Sequence, residues 1–139
     1  MKTSIKTAIL FSFTFLLSCV KGPTNYREFL NKQLNDHYKE EFNLYNNIVI
    51  IPRSGCHTCK DYADFYFNEN KDRKDFLFIF TKLISRKQLK IEFGEEALNK
   101  KNVKIDSNNL FYNIDYIDSA YPLLLKKNQE GKFTYSLLE

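Results

Sequence analysis

Only two histidines and three cysteines stand among the 139 residues, and tryptophan is absent. A structural zinc site needs four ligands, usually two cysteine or histidine pairs. Apart from one close cysteine pair the chain offers only His37 and His57, so neither metal nor cofactor is expected. A haem attachment signature needs histidine directly after the second cysteine of such a pair. Lys60 holds that position after Cys59. An excess of charge of one sign is lacking too, with 21 Lys and Arg against 17 Asp and Glu. The cations are interspersed with acids, as in Lys71-Asp72-Arg73-Lys74-Asp75, so nothing points to nucleic acid and these clusters read as solvated faces. The apolar run Ala8 to Leu17 falls short of the roughly 20 residues a spanning helix takes.

The amino terminus instead has the layout of an export signal. Lys2 and Lys6 form a basic leader, the apolar run follows, and small Ser18 precedes Cys19. Leu16-Leu17-Ser18-Cys19 resembles the lipobox of bacterial lipoproteins, which implies cleavage before Cys19, acylation of that cysteine and attachment to a membrane. The alternative is an ordinary secretory signal in which Cys19 is incidental. The chain thus divides into a signal peptide at 1–18, a lipidated cysteine with a short tether at 19–24, and one domain at 25–139. Loss of the signal leaves 121 residues, the size of a single domain with one core, and 19 cations against 17 acids. No acidic run follows Cys19, and the expected location is the bacterial cell envelope, facing the periplasm.

Within the domain the informative motif is Cys56-His57-Thr58-Cys59, which follows the β-like run Asn47 to Pro52 and opens a helix-like stretch. A helix starting there sets unpaired backbone N–H groups and the positive end of its dipole beside Cys56, favouring the thiolate that attacks disulfides. Cys59 lies close enough to attack a mixed disulfide formed at Cys56. The competing reading is a structural bridge, although so small a ring stabilises little. With Cys19 assigned to the lipobox, Cys56 and Cys59 have only each other or a partner to pair with in an oxidising compartment. His57, if protonated, would favour the Cys56 thiolate; a solvent-facing histidine of little influence is the alternative. Arg53 adds positive potential or, as an exposed arginine, solvates its loop.

The pattern along the chain predicts an α/β order. Tyr26, Phe29, Leu30, Leu34, Tyr38, Phe42 and Tyr45 recur at helical spacing after a Thr24 or Asn25 cap, predicting one amphipathic helix whose stripe faces a core. His37 borders this stripe incidentally. Asn47 to Pro52 and Phe76 to Phe80 predict buried parallel strands joined by a helix after the cysteines. Ser85 to Lys101 predicts a third helix bent or broken at Gly94, and Val103 to Asp106 a short edge strand. Tyr121 to Leu125, a turn at Asn128 to Gly131, and Lys132 to Ser136 predict an antiparallel hairpin.

This order, from the apolar strand and CxxC through a proline-led strand and glycine hairpin, resembles the thioredoxin superfamily over about Asn47 to Leu138. The resemblance implies a three-layer fold, a central mixed sheet flanked by helices, with the family's final helix missing. It also implies that Pro122 is the cis-proline of the family and that Tyr121 and Pro122 form the substrate wall opposite Cys56. Gly55 stands where members commonly have tryptophan, and Ile50 where thioredoxin has a buried acid. With no final helix, one sheet face is covered by the first helix or left open to a partner. The activity implied is thiol–disulfide exchange, with Cys56 as nucleophile, Cys59 as resolving thiol, protein disulfides or dithiols as substrates, and an upstream redox partner. Reduction of partners is the direction implied by resemblance. A binding module of the same fold with a passive bridge is the second reading, and transient copper binding through Cys56, Cys59 and His57 the third.

Overall fold

The computed structural model describes residues 25–138. The expected signal peptide, Cys19 and the expected tether therefore lie outside the described residues. In chain order the elements are α1 (Tyr26–His37), α2 (Lys39–Leu44), β1 (Asn47–Pro52), α3 (His57–Asn70), β2 (Phe76–Thr81), α4 (Arg86–Phe93), α5 (Glu95–Leu98), β3 (Val103–Ile105), a 3-10 turn (Ile117–Ala120), β4 (Leu123–Lys127) and β5 (Phe133–Leu137). No helix among them is long and apolar enough to cross a membrane.

The strands form one mixed sheet in the order β3-β2-β1-β4-β5. β1 pairs parallel with β2 from Asn47↔Phe76 to Pro52↔Thr81, and β2 pairs parallel with β3. β4 runs antiparallel to β1, with Ile50 opposite Leu123, and forms a hairpin with β5. The central position of β1 explains why it is apolar on both faces. Val49 and Ile51 face one layer of helices, while Ile48 and Ile50 face the other.

On the first face Phe67 of α3 sits edge-on to Phe78, Phe80 and Phe93, at 5.0, 5.1 and 5.0 Å between ring centroids. Leu89 of α4 and Ala97 and Leu98 of α5 complete this core. On the second face Tyr26, Leu30 and Leu34 of α1 pack on Ile48, Leu77, Ile79, Leu123 and Leu125. The sheet is thus covered on both sides, with α1 on the second face. No helix follows β5 among the described residues.

Asn25, one of the two expected caps, begins α1 by accepting a hydrogen bond from the Glu28 N–H at 3.0 Å. The expected single helix through Tyr45 is instead broken at Tyr38, whose φ of −136° is not helical. Tertiary packing overrides the period there. Tyr38 turns its ring onto Phe111 at 5.5 Å, and the redirected chain brings Phe42 to 4.6 Å from Phe133. The predicted break at Gly94 separates α4 from α5.

Candidate redox site

Cys56 is the N-cap of α3, and its sulfur accepts a hydrogen bond from the Cys59 N–H at 3.3 Å. The Cys56 carbonyl accepts from the Lys60 N–H at 3.1 Å, the first full turn of the helix. The two cysteines are joined in a disulfide, with Cα atoms 5.3 Å apart, and both are half-buried. Once the bridge is reduced, the Cys59 amide and the dipole of a 14-residue helix are in place to stabilise a thiolate on Cys56. The first turn of α3 holds no acid to oppose that effect.

Gly55 decides what stands beside Cys56. Its φ is +140°, which side chains rarely adopt, and a Cβ there would lie 3.0 Å from the Ala120 carbonyl oxygen. Glycine at position 55 therefore follows from a backbone-to-backbone contact. That contact brings Ala120, two positions before Pro122, against the residue preceding Cys56. The cis expectation for Pro122 is corrected, since the described chain has no cis peptide bond. Tyr121 is extended, at φ −110° and ψ 150°, and its N–H closes the 3-10 turn onto the Asp118 carbonyl at 3.1 Å. That extended conformation is the one a residue before proline adopts. Pro122 itself is buried, and its carbonyl accepts from the Leu138 N–H at 2.8 Å.

Arg53 also departs from expectation, being only 5% exposed. Its guanidinium donates to both carboxylate oxygens of Asp64 and, at 2.6 Å, to Glu92 Oε2. The same group lies 5.0 Å from the Phe93 ring centroid, and the Arg53 N–H donates to the Thr81 carbonyl at 2.9 Å. Lys60 completes the cluster, 3.2 Å from Glu92 and 3.6 Å from Asp64. Burial pushes the Glu92 carboxyl up, but hydrogen bonds from Gln88, Lys60 and Arg53 outweigh it and leave its pKa lowered. Two cations and two carboxylates therefore balance beneath the site and tie the loop after β1 to α3 and α4. Asp64 and Glu92 were not singled out in the sequence. The spacing of Lys60 and Asp64 on one helix was a readable signal, whereas Glu92 comes from 39 residues beyond Arg53.

His57 points outward, its side chain 89% exposed, with Nδ1 3.5 Å from Asp61 Oδ2. Its described partner is a carboxylate one helical turn on, rather than Cys56. An open cleft of about 290 Å³ runs beside the disulfide, bordered by Cys56, His57, Lys60, Gln88 and Ile84. Among the described residues no group of three or more His, Cys, Asp or Glu side chains is arranged to hold a metal ion.

A second buried polar cluster lies at the same end of the sheet. Asp106, 2% exposed, accepts through Oδ2 from the Thr81 hydroxyl at 2.7 Å and from the Phe111 N–H at 3.0 Å, while Oδ1 has no hydrogen-bond partner among the described residues. It anchors the start of the connection from β3 to the 3-10 turn. Comparison with family models, with curated proteins and with solved structures gave no match for this chain.

Proposed function

We propose that the chain is a membrane-anchored thiol–disulfide oxidoreductase of thioredoxin-like fold that exchanges disulfides with exported protein partners. The observation that carries this reading is Cys56 at the N-cap of a long helix, its sulfur hydrogen-bonded to the Cys59 amide and its neighbour Gly55 touching the loop before Pro122. The strand order, with a parallel βαβ unit beside an antiparallel hairpin, supports the finer fold assignment.

In the reductive direction the Cys56 thiolate attacks one sulfur of a partner disulfide. The partner's S–S bond breaks, and the sulfur released as thiolate takes up a proton. Cys59, as thiolate, then attacks the Cys56 sulfur, the bond to the partner breaks, and the second partner sulfur leaves as thiol after protonation. The partner gains two electrons and two protons, and the chain is left with the Cys56–Cys59 bridge. An upstream dithiol must reduce that bridge for a further turnover. Acylation of Cys19 supplies the membrane attachment, with the domain in the cell envelope on the periplasmic side.

The test is a covalent trap. Reduced Cys59→Ser chain, mixed with a fluorescent peptide disulfide, accumulates a peptide adduct on Cys56, the unaltered chain releases the peptide, and Cys56→Ser forms no adduct. Equal labelling of all three, or none of any, contradicts the proposal.

A further inference from the structure

The described chain begins at the redox end of the domain. Asn25 and Tyr26 border one cleft together with Tyr116, Ile117 and Asp118. Tyr26 is locked there, its hydroxyl donating to the Phe111 carbonyl at 2.8 Å and its ring 5.4 Å from that of Tyr116. Ile117 starts the 3-10 turn that ends at Ala120, the residue in contact with Gly55. Ile114 and Ile117 are 83% and 77% exposed, above every other large apolar side chain described. The point where the tether joins, the two bare isoleucines and the disulfide thus lie at one end of the molecule.

We propose that this end faces the lipid surface, with Ile114 and Ile117 entering the bilayer interface, and that the substrates are disulfides held close to a membrane. The proposal rests on the lipid-anchor reading of Cys19. Six residue steps separate Cys19 from Asn25, and a fully extended chain spans at most about 3.3–3.6 Å per residue, so Asn25 stays within about 22 Å of the acylated cysteine. A tether that short holds the end it enters. Apolar insertion is the interaction that suits the site, because Asp115 and Asp118 stand between and beside the isoleucines and an anionic surface would repel them. A cytosol-like, freely diffusing substrate is disfavoured by the same geometry, since the disulfide would open toward the bilayer. Partners anchored in or on that membrane present their cysteines at the matching height.

The rival orientation uses the far end of the sheet. Lys71, Arg73, Lys74, Lys100 and Lys101 gather there before β2 and β3, around a cleft of about 400 Å³, and would seat on anionic lipid. Leu44, 73% exposed, lies at the end of α2 just before β1 begins, on that side of the domain. The absence of tryptophan makes the two orientations separable by a single introduced fluorophore.

The experiment uses the full lipidated chain in zwitterionic phosphatidylcholine vesicles whose acyl chains carry bromine near the headgroup. Ile117→Trp and Leu44→Trp place one indole at an exposed apolar position of each end, so the indole's own preference for interfaces is the same in both. The proposal expects fluorescence at position 117 to be quenched roughly twofold or more, and at position 44 to match a bromine-free control. Stronger quenching at 44, equal quenching at both, or quenching at neither overturns it. Mass spectrometry of the same preparation reports the acyl group, and its absence overturns the proposal at the anchor. The covalent trap, run on the lipidated chain with Cys59→Ser and neither tryptophan, reports the exchange reading separately.

Discussion

Gly55 and Ala120 touch through their backbones: a carbon added to Gly55 would stand 3.0 Å from the Ala120 carbonyl oxygen. Two segments 65 positions apart are thereby set edge to edge, one leading into Cys56 and the other into Pro122. The contact sets the loop before Pro122 beside the residue that precedes the helix-capping cysteine.

Gly55→Ala is expected to destabilise the fold by about 1–3 kcal/mol, from the strained φ of +140° and the clash with Ala120 together. Urea unfolding measures it. Gly55→Trp should cost more and displace the Ala120–Pro122 loop, so adduct formation in the trapping assay should slow as well. An unchanged midpoint for both variants would show that the loop yields freely.

Arg53→Met leaves the Asp64 and Glu92 carboxylates facing each other beneath the site, and removing one partner of a buried ion pair costs about 3–5 kcal/mol. The two acids are partly exposed, so the lower end of that span is expected. Arg53→Lys should recover only part of the loss, because lysine lacks the planar fork that reaches both acids.

The same cluster sets an acid dependence. Glu92 has a folded pKa below its unfolded value, so its contribution to stability is present above the ordinary glutamate value of about 4.3 and lost as pH falls through the folded one. Arg53→Met removes one of the hydrogen bonds holding that pKa down. Its acid-unfolding midpoint should therefore move to higher pH than that of the unaltered chain, and superimposable acid limbs would contradict the role of the cluster.

At the alkaline end Tyr26 is the group to follow. Burial, then the nearby Asp118 charge and Tyr135, hold its phenol far above the usual tyrosine range. A raised folded pKa means that the stability it contributes is complete below about pH 10 and lost as pH rises further. Its phenolate absorbance should appear only with unfolding. Tyr26→Phe, which leaves the Phe111 carbonyl without its donor, should cost about 1–3 kcal/mol and remove that late transition.

What was legible in the sequence was local. Strand β1 and the start of α3 at the cysteines could be read from an apolar run followed by a capping pattern, because both signals lie within a few residues. The Asn25 cap and the break at Gly94 were readable for the same reason. The break at Tyr38 was not, since it answers to Phe111 and to the reach of Phe42 toward Phe133, contacts made only once the sheet exists. Arg53 looked like a loop cation because its two acids come from α3 and α4. Pro122 is trans and follows a 3-10 turn that no short pattern announced. The buried Asp106 was read as the end of a short strand, with nothing in its neighbourhood to mark the Thr81 hydroxyl or the Phe111 amide as partners.

The reduction potential of the Cys56–Cys59 pair tests the central claim most directly, by equilibrating the domain against glutathione buffers and counting free thiols. A catalyst of exchange is predicted to fall within about −120 to −270 mV, the span of known exchange proteins. A bridge that resists reduction below about −300 mV is a structural staple and would contradict the account.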